Sequence, residues 1–489
     1  MIQAKELRLG CKFFLVLLVC GPAAAVASQE QATAPAPGLE VQEELIAEKG
    51  GLTPAADEED IVSPDGQRVA WRVKRGQKWV VMVNGEELGA EYEKVEWIIF
   101  SPNSQRLAYR AKRGDNRWVM VVDGEPGPEF EKVGDPSFSP DSQSLAYVAK
   151  RRKKWVMVVD GQEQGSGYRK MGRPLFSPDS QRLACAARRK GRWVIVTDGK
   201  EGSTFDILGG LAFSGDSRRF AYAGARVRKG FGRERADGYV VIDGEEGPAF
   251  KGRNTSSLGG AFLKGAFAGV KKVLITGLRR RLLPEWHGVS SPALSPDGQH
   301  VAYAARRGKK DTVVMFDGQP GPQFETVVAG PAFSPDSQHV AYVVKEKATI
   351  TLVLDGNRIS EFSWEGMDFG TSLTFSPDSR RLAYVGVKGG HWYDEGWTGR
   401  ARRRVFLDGQ PGKEYDAWGL ANLTFSPDNQ HFAYEAHDIG NGKSLVVVDG
   451  QEGKLYDQVM MSLSFSGESS ITYVAREGRK FYRVTQTVQ

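Results

Sequence analysis

Short apolar runs alternate with polar turns along this chain, and no run in the repeated region keeps the 3.6-residue period of a helix. Runs rich in Val, Tyr, Phe and Ala, bounded by Ser-Pro-Asp and Asp-Gly, predict short strands joined by tight turns. The pattern is plainest from Phe138 to Tyr168, FSPDSQSLAYVAKRRKKWVMVVDGQEQGSGY. A first strand ends at the apolar residue before S-P-D. The LAYVA-like run is a second strand, and a basic turn leads to a third, WVMVVDG-like. A fourth ends near an aromatic residue seven or eight positions after the Asp.

Near-copies recur down the chain, with S-P-D-type turns at Ser63, Ser101, Ser139, Ser177, Ser214, Ser295, Ser334, Ser376, Ser426 and Ser466. Steps of 37 to 42 residues dominate; the step of 50 after Ser376 carries an insertion from Gly389 to Arg404. The step of 81 from Ser214 to Ser295 leaves room for a degenerate copy, Gly259 to Gly277, which makes about eleven units. Turn chemistry accounts for the recurring residues. Pro presets φ in a β-turn, Asp bonds its own backbone, and Asp-Gly supplies the positive φ of a two-residue hairpin. Asn84 stands where later units have Asp123, Asp160 or Asp198. Turn geometry tolerates that exchange and carboxylate chemistry does not, so these Asp residues read as structural.

Four-stranded units of about 40 residues, repeated this often, predict an all-β chain folded as a β-propeller. The S-P-D-S/G-x-x-[LV]-A-[YF] core resembles the WD-repeat-like propeller family of TolB-type periplasmic proteins and of the propeller domains of prolyl oligopeptidase relatives. The resemblance spans residue 60 to about 489 and implies a fold; for function it implies a range of scaffolds, inhibitors and enzyme appendages. Eleven units exceed the four to eight blades of an ordinary ring. Two tandem propellers are therefore expected, residues 61–252 with five units and 253–489 with six, one large ring being the alternative. The last unit lacks a fourth strand, which Leu39 to Ile46 or the segment before Ser63 could supply.

Residues 1–27 stand apart. Lys5, Arg8 and Lys12 precede a seven-residue apolar run, Phe13 to Val19, and Ala25-Val26-Ala27 forms an A-x-A cleavage signal. This is the pattern of a secretory signal peptide. Lipid attachment at Cys20 fits less well, because Val19 is not the small residue such a site puts before its Cys. An exported chain, periplasmic or extracellular, with no membrane-spanning segment once mature is expected. Residues 28–60 hold nine acids against Lys49 and read as a linker. Residues 61–489 carry 62 Lys and Arg against 50 Asp and Glu, a larger excess than the +6 of the whole chain. Beyond the signal only Cys185 remains; it replaces the Tyr of the second strand and reads as a buried strand residue.

No nucleophile elbow, H-E-x-x-H, phosphate loop or zinc-type Cys pair is present. No cofactor or metal is called for. His300, His339 and His431 share one repeat position with Arg68, Arg106, Arg182, Arg219 and Arg381, which marks a polar edge rather than a ligand set.

What remains is electrostatic. The turn between second and third strands is basic in most units, and in a propeller these turns gather at one end. Lys74, Arg75, Lys112, Arg113, Arg151, Arg152, Arg188, Arg189, Arg306 and Arg307 are the candidates, with Glu91, Glu93, Glu129 and Glu131 placed to neutralise part of the charge. Trp392, Tyr393 and Trp397 of the insertion form a second, aromatic candidate. The expectation is a non-enzymatic scaffold with a basic face for an acidic protein partner, or for an anionic glycan or other polyanion; export argues against nucleic acid. A propeller hydrolase or lyase acting on acidic polysaccharide is the alternative, and it requires histidines that converge.

Overall fold

The computed structural model describes residues 39–49, 60–114, 117–230, 233–254, 289–306, 311–347, 349–363, 373–388, 391–393, 396–398, 402–438, 442–460 and 463–489. Every regular element among them is a strand. The proposed signal peptide and the degenerate unit Gly259–Gly277 lie outside these residues.

The strands assemble into ten blades, each an antiparallel meander. In blade three, Lys132–Val133 and Ser137–Phe138 form the broken first strand, followed by Leu145–Arg151, Lys154–Val159 and Gln162–Tyr168. Leu145 to Ala149 are all buried. A strand with one wet face would alternate; this run is continuous because a neighbouring blade covers each face.

The S-P-D-S turn joins neighbouring blades at most seams. Ser139 Oγ donates to Asp141 Oδ1 at 2.5 Å and accepts the Ser144 amide at 2.9 Å. The Ser139 hydroxyl and the Gln143 amide hold the Asp141 carboxyl below the usual carboxylate range. The Asp141 amide then donates to Ser180 Oγ of blade four at 3.0 Å. The same bond runs from Asp65 to Ser104, Asn103 to Ser142, Asp179 to Ser217, Asp297 to Ser337 and Asp336 to Ser379. The accepting serine sits at φ near +64°, a conformation that explains why Gly66 and Gly298 occupy the same position. The Asp-Gly carboxylates are structural as expected: Asp160 Oδ1 accepts the Leu145 amide at 2.8 Å, and Asn84 does the same for Val69.

The circuit of blades is closed and single. Blade five packs directly on blade six through Ala223, Val240 and Phe250 against Val289, Val301 and Tyr303. Ser291 Oγ accepts the Gly210 amide there at 3.1 Å. Among the described residues no eleventh blade stands between them, and no division appears near residue 252. Blade ten meets blade one through Phe481 and Ala47 against Val69, Trp71 and Val80, with Phe481 stacked on Trp71 at 5.9 Å. Its fourth strand comes from the acidic segment. Leu39–Glu48 pairs antiparallel with Lys480–Val488, so this part of the expected linker is a strand that closes the ring. In the larger step after Ser376, one continuous strand, Gln410–Phe425, ends blade eight and begins blade nine.

A recurring aromatic pair fills the seams. The aromatic ending one blade meets the second-strand tyrosine of the next edge-on, as in Tyr92 with Tyr109, Phe130 with Tyr147, Phe205 with Tyr222 and Tyr456 with Tyr473, at 6.2 to 6.4 Å. Between blades three and four, Cys185 occupies the tyrosine's place and the pair is not made. Burial pushes its thiol up to about 12, and its Sγ donates to the Gly172 carbonyl at 3.1 Å.

If Phe481 closes the ring, Phe481→Ala should lower unfolding free energy by about 3–5 kcal/mol in chemical denaturation. A loss below about 1 kcal/mol, as at a surface position, would show that the seam between blades ten and one carries little.

Candidate functional site

In a four-stranded antiparallel meander, the turn between strands two and three lies at the same end as the link from strand four to the next blade. The basic turns therefore share one end of the ring with the residue that follows each blade's closing aromatic. That residue is acidic at Glu93, Glu131, Asp206, Glu325 and Asp457.

Most candidate cations are paired there. Arg75 meets Glu87, Lys112 meets Glu93 at 2.9 Å, and Arg113 and Arg117 share Glu129 at 3.5 and 3.2 Å. Arg151 binds Glu163 at 2.9 Å and Arg189 binds Glu201 at 2.8 Å. Lys74 lies over Trp79, and Arg188 over Trp193 with its Nε on the Gly191 carbonyl. Arg306 is buried, so it does not belong to a displayed surface. Arg307 lies outside the described residues. Arg152 is exposed at a hairpin tip with φ of 49°. The expected basic face, partly neutralised by Glu93, Glu129 and Glu131, is thus a face of alternating charge.

The insertion in blade eight forms a ribbon, His391–Tyr393 against Gly396–Thr398, with Trp392 opposite Trp397. It replaces the turn between strands two and three, so it rises from the same end as the basic turns.

The three repeat-position histidines do not converge. His300, His339 and His431 each pair with the Asp-Gly aspartate of their own blade, Asp317, Asp355 and Asp449, at 2.6 to 2.7 Å. Where the position is Arg, the side chain does more: Arg182 binds Asp198 and also donates to the Ser217 and Arg218 carbonyls of the next blade. The position is a latch between blades. Among the described residues no three His, Cys, Asp or Glu side chains gather in a metal-holding group.

Two charged clusters were not foreseen. In blades two and three, Arg110 binds Glu96 at 2.5 Å and Asp135 at 2.8 Å, with its guanidinium over Trp97 and Trp118. Burial raises the Asp135 carboxyl. In blade nine, Asn422 Nδ2 donates to Glu435 Oε2 at 2.7 Å, Glu435 Oε1 meets His437 Nε2 at 2.9 Å, and His437 Nδ1 meets Ser444 Oγ at 2.6 Å. The order carboxylate, imidazole, hydroxyl is that of a nucleophile relay, but Ser444 is 1% exposed and presents no hydroxyl to a substrate. The signal was available: Glu435 breaks an apolar second strand, and Ser444 replaces the Trp that opens the third.

A cleft of about 280 Å³ lies between blades four and five and is lined by Arg182, Thr197, Asp198, Tyr222 and Asp243. Its arginine is committed to the latch, and the volume falls at the lower edge of small-molecule sites.

No family model matches this chain, and no curated protein does. Among solved structures 354 chains match. They include the Dos1 propeller, 11% identical over 70% of this chain and 93% of that one, with a TM-score of 0.32. TolB from Acinetobacter baumannii is 15% identical over 62% and 77%, with a TM-score of 0.24. Hydrazine synthase from Kuenenia stuttgartiensis is 14% identical over 62% and 97%, with a TM-score of 0.27. Likeness at this level carries no statement about activity, and the propeller rests on its own sheets.

His437 yields a pH test. Burial draws its pKa down, but the hydrogen bond and charge of Glu435 outweigh that and leave it above the ordinary histidine value. The raised value contributes stability that is full below about pH 6.5, the unfolded value, and is lost as pH rises through the folded one. The melting temperature of the native chain should exceed that of His437→Gln most below pH 6.5, and the gap should narrow at higher pH. A gap independent of pH would mean that the imidazole serves by packing alone.

Proposed function

We propose that this chain is an exported, non-enzymatic propeller that acts as a protein-binding or scaffold module of the cell envelope, with its partner held at the end of the ring that carries the basic turns. The observation that carries the reading is topological. Ten blades bring their second-to-third-strand turns and the Trp392–Trp397 ribbon to one end. A closed ring holds that end rigid, so binding there requires little ordering of the protein.

Export is supported by the basic, apolar and A-x-A pattern of residues 1–27. Among the described residues no helix is long and apolar enough to cross a membrane. The partner is an acidic protein first, an anionic glycan or other polyanion second. The hydrolase or lyase alternative draws no support from His300, His339 and His431, each of which is occupied within its own blade.

Two measurements test this. Fractionation should recover the chain outside the cytoplasm with Ser28 at its N-terminus; recovery of the intact chain in the cytoplasm would remove the envelope role. The mature chain, used to capture an envelope partner, should release it as ionic strength rises from about 0.05 to 0.5 M, where screening shortens from over 10 Å to a few ångströms. Capture that persists unchanged through that range would move the site from the basic turns to the aromatic ribbon.

A further inference from the structure

The seam between blades three and four departs from a charge pattern that several other seams share on this end. At four seams the residue after the closing aromatic is an acid that sends its backbone amide to the second strand of the next blade: Glu93 to Lys112, Glu131 to Lys150, Asp206 to Ala225 and Asp457 to Arg476. In the same bond, to the Arg188 carbonyl, stands Arg169. The exchange has a direct electrostatic effect. Strand pairing places Lys94 opposite Lys112 and Lys132 opposite Lys150. Like charges so placed repel. There the acid relieves the repulsion, Glu93 reaching Lys112 at 2.9 Å and Glu131 reaching Lys150 at 3.5 Å. Lys170 lies opposite Arg188 in the same register, and Arg169 adds a charge where the acid should be.

The neighbouring hairpin tips enlarge the excess. Arg152, Lys153 and Lys154 end one hairpin and Lys190 the other, all exposed. With Arg169 and Lys170 they make six adjacent cations whose side chains form no ion pair among the described residues. The acids that are near are engaged: Glu163 holds Arg151, and Glu201 holds Arg189 and the Tyr168 hydroxyl. The chain thus carries unrelieved repulsion at one seam and relieves it at the equivalent ones.

Resting on the binding face proposed above, we infer that blades three and four form its anion-recognition locus, and that the occupant is an acidic stretch of polypeptide. The six cations stand on two adjacent hairpins, which suits an extended ligand with several carboxylates. Sugar recognition calls for an open aromatic platform, and here Trp193 is buried beneath Arg188 and Trp155 is only partly exposed. Membrane docking calls for exposed apolar side chains, and none of the large ones lies in either hairpin.

The test uses the mature chain and a fluorescent poly-glutamate peptide, with binding read by anisotropy at low salt. Arg169→Glu restores the residue type of the other seams, so it should fold, melt no lower than the native chain, and weaken binding by roughly tenfold or more. Arg169→Gln, which adds no charge, should fall between and serves if the first variant does not fold. Lys78→Glu makes the same charge change at the exposed tip of blade one and should leave affinity within about twofold, as a rim charge away from the contact does. Equal weakening by Arg169→Glu and Lys78→Glu would overturn the locus while leaving a basic binding face. Absence of salt-sensitive binding by the native chain to any anionic probe would overturn the binding face itself. Stronger binding to polygalacturonate, or to vesicles containing phosphatidylglycerol, than to the peptide would overturn the polypeptide occupant.

Discussion

A backbone amide that donates to a serine hydroxyl one blade away sets the geometry of this molecule. Each S-P-D-S turn is closed internally by its first serine and its aspartate, which frees the aspartate's own amide to point outward. The neighbouring turn answers with a serine held at positive φ, where the hydroxyl can accept. A bond of this kind contributes only about 1 kcal/mol, but it recurs at six seams, and at two others the same amide donates to the Pro296 carbonyl or to Asn429 Oδ1 instead. An apolar cluster lies at every seam, built from strands of the two neighbouring blades. Strands buried on both faces, the latch arginines and the edge-on aromatics all belong to the contact between neighbouring blades.

Most of the fold could be read because its determinants are local. Ser, Pro, Asp and Gly declare turns through their own φ preferences and side-chain bonds, and LAYVA runs declare strands. The supply of a closing strand from Leu39–Ile46 was legible for the same reason, since the last unit visibly lacked its fourth strand. Ring number and blade count were not. They depend on whether residues on either side of a long gap touch, and nothing in the spacing between Ser214 and Ser295 says that Phe250 will pack on Tyr303.

The candidate site was half legible. Basic turns announce themselves, but a cation's partner lies 12 to 19 residues away on another strand, as with Arg75 and Glu87 or Lys150 and Glu131. Counting cations without that pairing overstates the charge of the face. The informative positions were exceptions within aligned units: Arg169 where Glu93, Glu131, Asp206 and Asp457 stand elsewhere, Cys185 among tyrosines, and Glu435 where most units have valine or alanine. Two of these three fall at one seam. The cluster there is small, Tyr168, Ala187 and Val194, so the seam with the least apolar cement also bears the most unrelieved charge.

The pairing of Leu39–Glu48 with Lys480–Val488 joins segments separated by nearly the whole chain. During synthesis the first of these strands is made early and must wait for the second, because loop closure over such a length precedes any gain from the ladder. A waiting strand is an open edge and invites pairing with another molecule. Glu40, Glu43, Glu44 and Glu48 supply the remedy, four negative charges in ten residues that repel a second copy of the same strand. One of them keeps a use after closure, Glu43 accepting Lys454 at 2.9 Å and the Tyr456 hydroxyl at 2.5 Å. The charges that read as the mark of a linker are gatekeepers of the ring's last step.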